Sequence, residues 1–124
     1  MWKQYNPNPC NKANGDCTVR AISKALNMSW DDAFDMQVYK AKYMCDMPSS
    51  NAVVNAILKD CGFVSGSISN KCPSCYTIKD FCRDNPKGIF VIGTGTHVVC
   101  AIDGTYFDSW DSGNETPIYY WRKA

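Results

Sequence analysis

Two residues of this chain can do nucleophilic and proton-transfer chemistry together, and each stands at the edge of an expected element. Cys17 follows the turn-forming run Asn14-Gly15-Asp16 and opens a segment of helical periodicity, which puts its sulfur on the first turn of a helix. The unpaired N–H groups and positive dipole end of a helix favour thiolate over thiol. His97, the only histidine, lies far downstream at the start of a strand-like run, and a short acidic segment follows it. A thiol, an imidazole and a carboxylate are the working parts of nucleophilic cysteine catalysis.

The strands that carry the imidazole also choose the carboxylate. Asp103-Gly104 between two β-rich runs is a strong signal for a two-residue hairpin turn, with Ile102 opposite Thr105. Counting back pairs Ala101 with Tyr106, Val99 with Asp108 and His97 with Trp110. Alternation then sends His97, Val99, Asp108 and Trp110 to one face, with Asp108 a diagonal neighbour of His97 and Asp111 facing away. A carboxylate there would hold the imidazole in a working tautomer. One extra turn residue would reverse the parity and favour Asp111. Taken singly, a strand histidine is by default a packed or rim residue and a hairpin aspartate a solvated one; the three residues together carry the reading.

The elements needed to position them follow in order. Residues 1–14 read as an extended lead-in crossing the surface. A first helix runs from Cys17 through Val19, Ile22, Ala25 and Leu26 and stops near Asn27. A second, opened by Ser29 and Asp32 at capping-box spacing, carries Trp30, Ala33, Phe34, Val38 and Ala41 to about Tyr43. A third, opened by Pro48-Ser49-Ser50, buries Val53, Val54, Ile57 and Leu58 and ends at Gly62. Residues 63–76 read as a short strand and a loop, and Thr77 with Asp80 opens a short helix that stops before Pro86. Strands follow over 89–92, 97–102, 105–110 and 118–121. Helices first and antiparallel strands last predict one α+β domain, with N-terminal helices packed on a C-terminal antiparallel sheet.

Composition narrows the classes. The chain has 124 residues, enough for one cored domain, with 45% hydrophobic and 20% charged residues and a net charge of +1. With signs interspersed, no basic footprint for nucleic acid or anionic membrane is visible. No apolar run approaches the roughly 20 residues of a membrane span, and the first residues lack the apolar stretch of a signal peptide, so a cytoplasmic location is expected. Eight cysteines are then expected as reduced thiols, several of them (Cys61, Cys82, Cys100) on apolar faces.

Gly15-Asp16-Cys17 followed by a helix, together with Gly95-Thr96-His97-Val98-Val99, Ile102-Asp103-Gly104 and Phe107-Asp108-Ser109-Trp110-Asp111, resembles the papain-like cysteine peptidase fold. The likeness runs in order from about Asn11 to Trp121. The nearest variants are compact bacteriocin-leader peptidases and uncharacterised phage and bacterial proteins with a similar Asp-Cys-x-Val-Arg-Ala start, which implies a phage or prophage setting and, if phage-encoded, the host cytoplasm. The resemblance implies Cys17 as nucleophile, His97 as proton carrier and Asp108 as its orienting partner, with a peptide or protein substrate and no cofactor. The papain-like pattern places a glutamine oxyanion donor six residues before the nucleophile, where this chain has Asn11; Asn14 is the rival donor. The backbone N–H of Cys17 would be the second donor in either case.

Two other classes stay open. Cys72-Pro73-Ser74-Cys75 has the spacing of a zinc half-site, which Cys61 or Cys82 could complete as a small Cys-rich zinc module. A papain-like scaffold without activity could instead engage a host partner, using Tyr119, Tyr120, Trp121 and Trp110 as a contact patch if they are not core.

Overall fold

The computed structural model describes residues 1–12, 15–69 and 76–124. Its elements are β1 (Trp2–Gln4), α1 (Cys17–Ala25), α2 (Trp30–Met44), α3 (Asn51–Asp60), β2 (Phe63–Ser67), α4 (Ile78–Asp84), β3 (Ile89–Gly93), β4 (Val98–Ile102), β5 (Thr105–Asp108) and β6 (Tyr119–Lys123). The domain is α+β. Local chemistry sets most boundaries: Ser29, Ser50 and Thr77 each accept the N–H three residues on (Asp32, Val53 and Asp80), and Asp80 returns the bond to the Thr77 N–H. Asn27 and Gly62 take left-handed φ of +53° and +87° just past the ends of α1 and α3.

The sheet differs from the expected C-terminal antiparallel one. Its six strands run in the order β1-β5-β4-β3-β6-β2, so chain from before and between the helices forms both edges. β1, inside the stretch read as a lead-in, pairs parallel to β5, with Trp2 opposite Tyr106 and Gln4 opposite Asp108. Three exposed residues carry no alternation, so only the waiting edge of β5 makes them a strand.

The sheet is covered on both faces. Helices α1, α2 and α3 enclose one core with Val91, Val98, Cys100 and Trp121, where Ile22, Val53, Ile57 and Leu58 are essentially inaccessible. On the other face α4 packs Ile78, Phe81 and Cys82 against Phe90, Ile92, Val99, Ala101 and Tyr106. Trp121 is therefore core, and its indole N–H bonds Asn55 at 2.8 Å. The apolar stripe expected for α2 is different: it buries Ala33, Gln37 and Ala41, while Phe34 and Val38 are about two-fifths exposed. Small residues let α2 approach its neighbours closely and leave its large side chains outside. Among the described residues, no helix is long and apolar enough to cross a membrane.

Candidate active site

The hairpin turns on Asp103 and Gly104, at φ +50° and +82°, and pairs Ile102 with Thr105 and Ala101 with Tyr106 as expected. The ladder ends one step later, at Cys100 opposite Phe107. Beyond it Asp108 keeps only its pairing with Gln4 of β1. Val99 stays in the core on the α4 side, whereas His97 and Asp108 leave the ladder and reach α1. Their side chains meet, with His97 Nε2 2.6 Å from Asp108 Oδ2. Trp110 lies against the imidazole, ring centroids 5.0 Å apart. Asp111 is outside the site, where its carboxylate accepts the Tyr106 hydroxyl.

Asp108 is wholly inaccessible and its oxygens are saturated. Oδ2 accepts Ser112 Oγ at 2.6 Å as well as the imidazole, and Oδ1 accepts the Ser109 N–H at 2.8 Å. Arg20 of α1 gives Oδ1 two further bonds, from Nε at 3.2 Å and Nη2 at 2.9 Å. The third side of the guanidinium donates from Nη1 to Asp16 Oδ1 at 2.7 Å, and Asp16 Oδ2 accepts the Trp30 indole N–H at 2.9 Å. A continuous chain therefore runs Trp30–Asp16–Arg20–Asp108–His97, buried at its three central members. Asp16 is spent on this chain and does not cap α1, so no side chain caps the helix mouth that carries Cys17.

The electrostatics follow from these contacts. Burial works against a charged imidazole, but hydrogen bonds to Asp108 and to Cys17 and their negative charges outweigh it, and the His97 pKa is pushed up to about 9. Burial likewise opposes a Cys17 thiolate. Hydrogen bonding to His97 and to the Val98 N–H, with the charges of His97 and Arg20, overcomes it and holds the thiol below its ordinary value. For Asp108, too, burial is the largest influence, and the His97 and Ser112 bonds with the His97 and Arg20 charges reverse it, so the carboxyl stays below the usual range. All three directions favour one state, a thiolate beside an imidazolium beside a carboxylate. The aligned bond of the ring is the one to Asp108 through Nε2, which leaves Nδ1 for the sulfur.

Two clefts meet at this pair. One of about 410 Å³ is lined by Cys17, His97, Thr18, Ser49, Asn51 and Tyr119 among others. A second of about 380 Å³ is lined by Cys17, His97, Arg20, Ser109 and Trp110 with Gly15 and Thr96. The sulfur is thus half-buried yet open on two sides.

Cys17, His97 and Asp108 are brought together; Asn11 is not part of the group. It is exposed, at φ +51°, its side chain 3.4 Å from the Asn6 amide, and it lines neither cleft. Asn14, Cys72 and Cys75 lie outside the described residues. Cys61 and Cys82 are free thiols, and no cluster of three or more metal-ligating side chains occurs among the described residues. Reading by spacing missed Arg20, Ser112 and Trp30. The signal for Arg20 was present: Asp16 and Arg20 stand four apart, one turn of a helix whose other residues are nearly all apolar or small. No family model, curated protein or solved structure matches this chain.

Proposed function

We propose that this protein is a cysteine-dependent hydrolase of amide, isopeptide or thioester bonds, with a papain-like arrangement of Cys17, His97 and Asp108. The observation that carries the reading is the imidazole held 2.6 Å from a fully buried carboxylate, beside a thiol whose pKa is lowered by hydrogen bonding to the same ring. In the reaction Cys17 Sγ attacks the carbonyl carbon as thiolate. The oxyanion forms at the mouth of α1, where the Cys17 N–H is the donor closest to hand. His97 gives its proton to the leaving amine as the C–N bond breaks, leaving a thioester and a neutral ring. Water then loses a proton to His97, its oxygen bonds the carbonyl carbon, and the acid departs as the thiolate returns. Asp108 keeps the imidazolium paired throughout, and Arg20 keeps Asp108 in place.

The test is chemical reactivity. Iodoacetamide at pH 6.5 is expected to alkylate Cys17 at least about tenfold faster than any other cysteine, since the thiolate fraction there exceeds that of an ordinary thiol. The advantage should vanish in His97→Ala. Equal labelling of Cys17 and the exposed Cys10 and Cys45 would remove the enzymatic reading and leave a binding domain.

A further inference from the structure

The outer edges of the sheet are built differently. β1 offers three residues, one of them Lys3, the short and charged form that resists pairing with other chains. β2 offers five, Phe63-Val64-Ser65-Gly66-Ser67, with no charge, no proline and an unbroken register against β6. The direction of its main-chain groups is fixed at both ends. The Ala124 N–H donates to the Gly62 carbonyl at 3.0 Å, and the Ile68 N–H to the Ile118 carbonyl at 2.8 Å. Even-numbered residues of β2 therefore bond to β6, and the N–H and C=O of Phe63, Ser65 and Ser67 point away from the sheet. Among the described residues no further strand lies beyond β2, so this row of donors and acceptors is unpaired.

The edge borders a groove that leads to the catalytic pair. A cleft of about 540 Å³ lies between α3 and the strands β2 and β6, and Asn51 and Tyr119 line both it and the 410 Å³ cleft at Cys17. The strand register follows the same path: Ser67 pairs with Tyr119, Tyr119 with Gly93, and Gly93 with Val98, the neighbour of His97. That path crosses successive strand spacings totalling about 14 Å, or roughly four to five residues of extended chain. The groove has no charged residue in its lining. Its α3 wall supplies donors, because Asn51 Oδ1 accepts the Tyr119 hydroxyl at 2.9 Å and Asn55 Oδ1 accepts the Trp121 indole N–H at 2.8 Å. Each amide keeps its N–H groups for an occupant. The two stand one helical turn apart, about 6 Å, close to the roughly 6.7 Å repeat of alternate side chains in a strand.

Resting on the hydrolase reading, we infer that the β2 edge binds an extended segment of the polypeptide substrate as an added strand, at a distance from the cleaved bond. Its main chain pairs with Phe63, Ser65 and Ser67, and its alternate side chains on the α3 side are uncharged acceptors such as threonine or glutamine. Continuity with the catalytic cleft favours substrate over a second copy of this chain, which would cover the edge and make no use of the path to Cys17. The substrate class is then a protein with an unfolded, uncharged stretch near the bond that is cut.

The probe is fluorescein-labelled Thr-Val-Thr-Gln-Thr-Val-amide, followed by polarisation, with two analogues that carry N-methyl groups on alternate residues in opposite phase. The parent peptide is expected to bind, one analogue at least about tenfold more weakly and the other about equally, because only one set of its N–H groups faces β2. On binding, hydrogen exchange at the Ser65 and Ser67 N–H groups should slow about tenfold or more. Ser65→Pro removes an outward donor and should weaken the probe to the same degree, with slow exchange at Val64 and Gly66 reporting that the β6 ladder is kept. Forms carrying a chloroacetyl group on a pentaglycine linker at one end or the other should alkylate Cys17 at least about tenfold faster than chloroacetylglycine from one of the two ends. No binding at millimolar probe, equal loss in both methylation phases, binding that survives Ser65→Pro, or no acceleration from either end overturns the inference. So does a dimer in sedimentation that Ser65→Pro dissociates, since the edge then belongs to a second copy. If iodoacetamide does not select Cys17, the hydrolase reading fails instead, and polarisation and exchange, which do not involve the thiol, decide for the edge by themselves.

Discussion

Arg20 is 4% exposed and stands between two carboxylates, Asp16 and Asp108, that are themselves buried. Such a triad stabilises little as a whole, because each ion gives up its water, but it is costly to break. Arg20→Met is therefore expected to lower unfolding stability by ~3–5 kcal/mol, since it strands two carboxylates without their partner. Urea denaturation checks it, and a loss under ~1 kcal/mol would mean that the charges do not depend on one another. Asp108→Asn asks about function more directly. The amide cannot balance an imidazolium, so the His97 pKa should fall from about 9 toward or below its ordinary 6.5, as read from ring-proton NMR shifts against pH. Selective alkylation of Cys17 at pH 6.5 should fall with it. The linkage has a definite sign. The raised His97 pKa contributes stability that is complete below 6.5 and is lost as pH rises through about 9. The lowered Asp108 pKa contributes stability complete above its ordinary 3.8 and lost as pH falls through the folded value. Stability from this pair is therefore greatest between about pH 4 and 6.5 and declines on both sides.

At the level of elements, the site is the place where α1, β4 and β5 end near one another. The hairpin turn sets how far His97 and Asp108 stand from the last ladder pair, and Gly104 sits at φ +82°, where a side chain is strained. Gly104→Ala should cost ~1 kcal/mol in unfolding stability while leaving Cys17 reactivity selective, because the strain is local to the turn. A larger loss in reactivity than in stability would mean that the register itself moves. β1 matters in a different way. The Tyr5 N–H and the Trp2 indole N–H both donate to the Asp108 carbonyl, at 2.8 and 3.2 Å, so this end of the chain holds the backbone of Asp108. Deleting residues 1–5 is expected to slow Cys17 alkylation in folded protein, with circular dichroism reporting that the fold is kept.

Across the whole molecule, six described cysteines occupy three environments, and their reactivity should sort accordingly. Cys10 and Cys45 are exposed, while Cys82 and Cys100 are buried, with pKa values raised by burial to about 11 and about 12. Mass-resolved alkylation at neutral pH should modify Cys17 first, Cys10 and Cys45 next, and Cys82 and Cys100 only after urea is added. Modification of Cys100 in native protein would contradict the packing of β4 against α1. The two-sided cover of the sheet encloses Cys82 and Cys100, which act there as small apolar side chains.

Local chemistry was enough to determine much of this protein. Ser50 and Thr77 as caps, Gly62 as a left-handed end and Asp103-Gly104 as a two-residue turn each act within a few residues of themselves, so the helix boundaries and the hairpin register could be read from the sequence. That register preferred Asp108 over Asp111 on a face shared with Val99, whereas in the fold Val99 stays on the α4 side and His97 meets Asp108 beyond the ladder, toward α1. What tertiary structure decided depends on surfaces made far away in the chain. β1 is a strand only because β5 leaves an edge for it, and α2 exposes Phe34 and Val38 because its small face is the one that fits α1 and α3. Asn11 has the spacing of an oxyanion donor but is carried away in its own turn, whereas Arg20, unremarked as a site residue, joins Asp16 to Asp108 across 88 residues of chain. Periodicity describes an element's own faces; which charge meets which depends on how those faces are packed, and only the folded chain supplies that.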